Sequence, residues 1–372
     1  MMPAKATSPF ADAGLHAFGT AWNASPAFVE AWAARAEGAT LFAGPLFQMA
    51  LRDAFAMKSL PALAVYQGHD LVGMLPLCRH APVRGMLGLR ESGFARNAHT
   101  LRNNLLTADP AVVMAMLRVW RDEVDADTLL LEHLPLESVL ADFIAANVRS
   151  LHLLADAPTS GRTLHFAATN IPYDDYIASR SGQFRHQIRK RLRELQEAGD
   201  FQIDRLAGSE LRAGLPDWRA VVDQSWQGQD SELGSANTAA DWSLHASLAR
   251  NGVLWLARLD ARPIAALRML EDAHGAYVHT MHFDQSMRKH APGLVLFDAM
   301  MRDACARQLQ RVDFNGTSPF FARWATGSTA QMSIRIYRNN IRGRCAQNMR
   351  SLLRRLRPPI DVAPEILPAP QV

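Results

Sequence analysis

A β-hairpin pattern occurs twice in this chain. Residues 60–80, LPALAVYQGHDLVGMLPLCRH, read as a strand, a tight turn at Gln67-Gly68-His69-Asp70 and a second strand. Residues 253–270, VLWLARLDARPIAALRML, repeat that form about 190 residues later. Ala64-Val65-Tyr66 then falls on Ala257-Arg258-Leu259, and Leu71-Val72-Gly73 on Ile264-Ala265-Ala266. Each hairpin is followed by a connector, an amphipathic helix and a further strand: residues 110–124 with TLLLEHL (128–134), and residues 293–309 with RVDFNG (311–316). The second copy adds the strand GAYVHTMHFD (275–284) ahead of its helix. A chain built this way is an α/β (α+β) protein of two tandem domains, each a mixed, mostly antiparallel sheet flanked by helices. Its 372 residues suit two such domains. The expected divisions are 1–160, 161–357 and a disordered Pro-rich tail at 358–372, PPIDVAPEILPAPQV.

Several classes drop out early. No apolar run approaches the ~18 residues that a membrane span needs, and MMPAKATSPFADAG lacks a signal-peptide core. A cytoplasmic protein without transmembrane segments is therefore expected. Cys78, Cys305 and Cys345 are far apart and odd in number, so no disulfide framework or metal site is expected, and Cys305 falls on the apolar side of its helix. There is no Gly-x-Ser-x-Gly, Walker loop, His-Glu-x-x-His or dinucleotide fingerprint.

Net charge is only +4, but the basic side is almost all arginine, 36 against four lysines. The arginines cluster in FRHQIRKRLRELQEAG (184–199) and YRNNIRGRCAQNMRSLLRRLR (337–357). Both are basic helices suited to phosphate or carboxylate partners, or else solvated faces with local ion pairs. Arg185, Arg189 and Arg193 lie at i, i+4 and i+8 on one face of the first.

The chemistry concentrates in HFDQSMRKHAPGLVLFDAMM, His282 to Met301. A strand ends, Arg288, Lys289 and His290 follow, and Pro292-Gly293 opens a helix. Proline suits the first turn, glycine admits close approach, and a helix start offers free N–H groups to an anion. Such a turn is a pyrophosphate cradle, or ordinary helix punctuation.

The second half resembles the GNAT-type acetyltransferase domain of proteins linked to bacterial cellulose and exopolysaccharide synthesis. That domain is related to the Fem-type peptidoglycan transferases, which carry two tandem GNAT folds. The resemblance covers roughly 165–340 and rests on SGQFRHQIRKRLRELQEAGD, LARLDARPIAAL, YVHTMHFDQSMRKHAPGLVLFDAM and VDFNGTSPFFARW. It implies two GNAT-like domains, the first a degenerate copy serving as scaffold and acceptor wall. It implies acetyl-CoA or another acyl-CoA as donor, no metal, and a small-molecule or glycan amine as acceptor in envelope or exopolysaccharide metabolism. DNA is not an expected partner.

Carried over by residue, Arg288, Pro292, Gly293 and Leu294 match the coenzyme A pyrophosphate loop, with Lys289 beside them. The family pattern Arg/Gln-x-x-Gly-x-Gly/Ala keeps one glycine here, after a proline. Asp313-Phe314-Asn315-Gly316 matches the Asp-Phe-x-x-Gly strand end, but Phe320 and Phe321 stand where relatives have Tyr-Lys before the tryptophan, here Trp324. In this frame the acyl group lies between the strands 275–284 and 311–316. A backbone N–H near Met281 or His282 is the expected oxyanion donor. His282 is the expected base with Asp313 orienting it; His279 and Tyr277 are further candidates. Arg185, Arg189, Asn315 and Trp324 are the expected acceptor-binding residues. Two other readings stay open: a Fem-type transferase using aminoacyl-tRNA, the only case in which tRNA is a partner, and a catalytically silent GNAT-like subunit of a polysaccharide synthase complex.

Overall fold

The computed structural model describes residues 14–37, 39–80, 88–97, 99–100, 102–136, 140–226, 238–273 and 275–356; the expected tail at 358–372 lies outside them. The chain forms two compact units, Met1–Arg162 with Ala330–Val372, and Thr163–Thr329.

In the first unit the hairpin is Ser59–Gln67 with Asp70–Arg79, closed by the pair Gln67–Asp70. Leu15–Thr20 borders it antiparallel on one side. On the other side Glu91–Gly93 follows antiparallel, and Thr128–Pro135 then pairs with Glu91–Gly93 in parallel. The crossover between those two is the helix Pro110–Glu123. It starts where Asp109 caps the Ala111 N–H at 2.8 Å and Pro110 fills the first turn. Its apolar residues, with Trp120 fully buried, pack on Leu63, Val65, Leu75, Leu129 and Leu131. Gly73 permits that approach: a Cβ there would lie 2.3 Å from Val112 Cγ1.

The expected boundary at 161–357 is corrected on one side. Residues 330–356 belong with the first unit, not the second. The strand Gly327–Arg338 pairs antiparallel with Thr128–Pro135 from Gln331 to Tyr337, and Leu153–Ala155 pairs with its far end. Thr128–Pro135 would otherwise present unpaired backbone on that side, and Ile334 and Ile336 complete the core beneath it. The helix Ile341–Leu356 follows, tied down by Gln347 Nε2 donating to Ala155 O at 3.0 Å.

The second unit repeats the plan. Gly252–Leu259 and Arg262–Asp272 form the hairpin, with Asp260 and Ala261 both at positive φ in the two-residue turn. Gly275–Phe283 pairs antiparallel with Arg262–Asp272, the helix Pro292–Ala306 crosses over, and Arg311–Asp313 pairs with Gly275–Phe283 in parallel. Residues 166–168 close that side antiparallel to Arg311–Asp313, and Phe201–Ala207 closes the other beside Gly252–Leu259. One face of the sheet is covered by Pro292–Ala306 and the basic helix Gly182–Ala198, with Phe184, Ile188 and Leu195 of the latter inward. Cys305 lies within this core, as its helical position predicts. Gly208–Gln224 covers the opposite face. That helix carries Pro216 in its interior. Tertiary burial of Leu211, Trp218, Val221 and Val222 outweighs the lost backbone bond.

Candidate active site

The parallel rung between Tyr277 and Asp313 is the last between their two strands. Beyond it the chains part. Phe314 N–H donates to His165 O at 2.9 Å and His165 N–H to Gly316 O at 3.0 Å, drawing Arg311–Asp313, the fourth strand of the repeated plan, away from Gly275–Phe283, the third. Asn315, left-handed at φ 50°, spans the opening: its Nδ2 donates to Val278 O at 3.0 Å. Asp313 holds that turn, its Oδ1 accepting from Asn315 N–H at 3.2 Å and its Oδ2 from Arg311 Nη2 at 2.7 Å. Between Thr280 and Phe283 the third strand is therefore paired, among the described residues, with Ala265–Arg268 alone. Its other edge carries backbone polar groups facing a gap between splayed strands.

A register shift opposite Arg268/Met269 places one extra residue, His279, in the third strand. This bulge inverts the alternation of side chains. Ala276 and Val278 pack into the core under Pro292–Ala306, and past the bulge so do Met281 and Phe283. His282 is thereby turned to the opposite face. It is 3% exposed, its Nδ1 3.4 Å from Ser225 Oγ, whose hydroxyl also donates to Val222 O at 2.7 Å. Burial pushes its pKa down to about 4.

At the end of the third strand Asp284 caps a short 3-10 turn, Gln285–His290, accepting Ser286 N–H at 2.8 Å, and pairs with Arg262. Arg288 and Lys289 are exposed. His290 Nδ1 is buried without a partner among the described residues. Ala291 is left-handed at φ 47° and stands at the N-cap, so no side chain caps Pro292–Ala306. A Cβ at Gly293 would meet Met281 Sδ at 3.8 Å and Phe283 Cδ1 at 3.9 Å, ordinary contact distances. Packing alone therefore does not require glycine; its smallness leaves room above Met281. The matching helix in the first unit has the opposite arrangement, with the Asp109 carboxylate seated on its first turn.

The structure brings Met281, Arg288, Lys289, Pro292, Gly293 and Leu294 together around one helix start. It does not bring His282 and Asp313 together. Asp313 is level with Tyr277, five residues short of His282, or about 16 Å along an extended strand. His279 packs against His245 with ring centroids 4.9 Å apart, and Tyr277 donates its hydroxyl to Asp272 Oδ2 at 3.0 Å. Trp324 is core, fully buried between Phe184 at 4.8 Å and Phe297 at 5.0 Å. Phe320 and Phe321 pack around the same Phe297. On the basic helix, Glu194 takes Lys190 at 3.9 Å and Arg191 at 2.6 Å, which leaves Arg185, Arg189 and Arg193 without an ion pair among the described residues.

Two buried polar groups escaped the sequence reading. Arg268 is fully enclosed, with Nη2 donating to His245 O at 2.9 Å, and burial lowers its pKa to about 10. An arginine inside the apolar run IAALRML was the available signal. Tyr173 donates to Asp298, which also accepts from Arg302 Nε at 2.8 Å; burial, then the Asp298 charge, raise the tyrosine pKa. Only the i, i+4 spacing of Asp298 and Arg302 hinted at this tie.

Residues 182–323, inside the second unit, match the family described as acetyltransferase (GNAT) domain. The crystal structure of FemX superposes with a TM-score of 0.62 at 11% identity, covering 86% of this chain and 98% of that one. The structure of L-PGS from Bacillus licheniformis gives 0.52 at 12% identity over 88% and 96%. The C-terminal domain of a putative lysylphosphatidylglycerol synthetase from Agrobacterium fabrum gives 0.51 at 11% over 88% and 95%. At these identities the likeness is one of fold. Comparison with curated proteins finds no match.

Proposed function

We propose that the second unit is an acyl-coenzyme A-dependent N-acyltransferase, with the donor held by the helix start at Ala291–Leu294 and the gap beside Thr280–Phe283. The observation that carries this reading is the contrast between the two helix starts. Where the first unit places Asp109 on the first turn, the second places Ala291 and leaves the turn without a side-chain cap. A positive helix end kept clear of the chain's own carboxylate suits a diphosphate. Arg288 and Lys289 supply cationic reach, and the space over Gly293 admits close approach. A thioester donor supplies an acyl carbonyl already activated for attack.

The chain's own contribution is positioning. Asn315 keeps the two strands apart, so that backbone along Thr280–Phe283 is available to an acyl carbonyl. Neutral above about pH 4, His282 acts as a hydrogen-bonding group fixed through Ser225 rather than as a strong base. The amine then enters uncharged. That the acceptor is an amino sugar or another envelope or exopolysaccharide amine follows from the resemblance of the second half to its family.

A second reading keeps the fold and replaces the donor by aminoacyl-tRNA. Arg185, Arg189 and Arg193, on one helical face and without an ion pair among the described residues, favour it, since polyanion binding needs such a stripe.

The test is the thermal stability of the protein with coenzyme A, acetyl-CoA and longer acyl-CoAs. A ligand at 100 times its Kd adds about 2.7 kcal/mol, and Arg288→Ala should reduce that gain. A shift without turnover on any amine would retain the donor site and support the silent-subunit reading. No shift with any acyl-CoA, together with salt-sensitive tRNA binding lost in Arg185→Ala/Arg189→Ala, would replace the coenzyme A reading by the second.

A further inference from the structure

The helix Ile341–Leu356 is amphipathic the wrong way round for a helix that merely closes a core. Its inward side is small or polar: Gly343 and Ala346 are buried, Gln347 donates to Ala155 O at 3.0 Å, and Arg350 lies 3.6 Å from Asp156. Its apolar side chains look outward. Ile341 is 83% exposed, Met349 42%, Leu352 56% and Leu353 48%. At roughly 100° per residue these four and the exposed Cys345 fall within about 120° of arc. Arg342, within that arc, and Arg344, at its flank, are also exposed.

Charge selects the occupant. Tyr337 to Arg357 holds seven arginines and no aspartate or glutamate. A second copy would set one arginine-flanked stripe against another, with no carboxylate on the helix to answer it. An anionic lipid surface supplies both halves of the match, phosphates for the guanidinium groups and acyl chains for the leucines. No helix among the described residues is long and apolar enough to cross a membrane, so the contact is in the plane of the surface.

We propose that Ile341–Leu356 docks the protein on an anionic membrane surface, its leucine stripe entering the headgroup boundary while its arginines engage lipid phosphates. This docking surface belongs to the first unit and stands whether or not the second unit takes an acyl-CoA donor.

The experiment is flotation of the full chain with vesicles of phosphatidylcholine alone and of phosphatidylcholine mixed with phosphatidylserine. Capture by the mixed vesicles and not the neutral ones is expected, falling as salt rises. Each arginine near such a surface is worth about fivefold in partitioning, so R342Q/R344Q should lose roughly 30-fold. L352E/L353E should abolish capture. These positions are exposed, so both variants should keep the parent melting temperature, which separates lost docking from lost folding. Absence of capture by the mixed vesicles overturns the proposal, as does capture that neither variant weakens. A dimer that L352E/L353E converts to monomer, with no vesicle capture, would assign the face to a second copy and overturn it equally.

Discussion

Placing a carboxylate at Ala291 tests the donor site by copying the first unit's own solution. Asp109 occupies the first turn of Pro110–Glu123, and Ala291→Asp would put the same group at the start of Pro292–Ala306. Without ligand the change should be neutral or slightly stabilising. An acid at a helix N-terminus contributes about 0.3–1 kcal/mol, and aspartate tolerates the left-handed backbone at φ 47° better than alanine does. With a diphosphate bound, the new charge faces like charge. At roughly 6 Å and an effective dielectric near 20, one pair repels by about 3 kcal/mol, and salt and side-chain rotation lower this. A loss of 1.4–2.8 kcal/mol, or roughly 10- to 100-fold in Kd, is expected. At a coenzyme A concentration 100 times the parent Kd, stabilisation should drop from about 2.7 kcal/mol to between about 0.4 and 1.4 kcal/mol. For a unit of this size that is a melting shift cut from about 5–10 °C to a few degrees or less. Ala291→Asn has the same shape without the charge and should keep the shift. Scanning fluorimetry of the three proteins reads the result directly. An undiminished shift in Ala291→Asp would refute the assignment of the helix start to a diphosphate.

Two further predictions concern the gap and the buried histidine. Asn315→Ala removes the donor to Val278 O and keeps an alanine at φ 50°, so it should lower stability by about 2–4 kcal/mol in urea denaturation; Asn315→Gly relieves the backbone alone and should lose about 1–2 kcal/mol less. His282 has a folded pKa of about 4, below the ordinary histidine value, so between those two pH values the unfolded chain binds more protons. Stability from this group is whole above about pH 6.5 and declines as pH falls toward 4. His282→Asn should flatten that decline in the pH dependence of denaturation midpoints, and an unchanged profile would show that the imidazole does not titrate there.

Local signals located most elements and the turn proposed here to hold the donor. Apolar periodicity marked the helices Pro110–Glu123 and Pro292–Ala306, and strand runs broken by turn residues marked both hairpins. The run Arg288 to Leu294 was legible as a turn into a helix start because its residues are contiguous in the chain. The His282–Asp313 pairing failed because it depended on register. It assumed that strand ends lie level, whereas Tyr277 is the residue opposite Asp313. One bulge residue at His279 then turned His282 away from the face that holds Met281. Trp324 reads as a ligand-binding aromatic in sequence and is enclosed in the core, because enclosure depends on Phe184 and Phe297 from distant segments.

By itself, then, the sequence determined the repeated hairpin–helix–strand order, the arginine-rich helices and the uncapped Pro-Gly start, each a property of neighbours within a few turns of chain. Only the tertiary structure decided which strand borders which. It assigned residues 330–356 to the first unit, opened the gap that Asn315 spans, and left the stripe of Ile341–Leu356 facing outward. Those outcomes turn on hydrogen-bond partners and buried area contributed by residues far apart in the chain, and no local period encodes them.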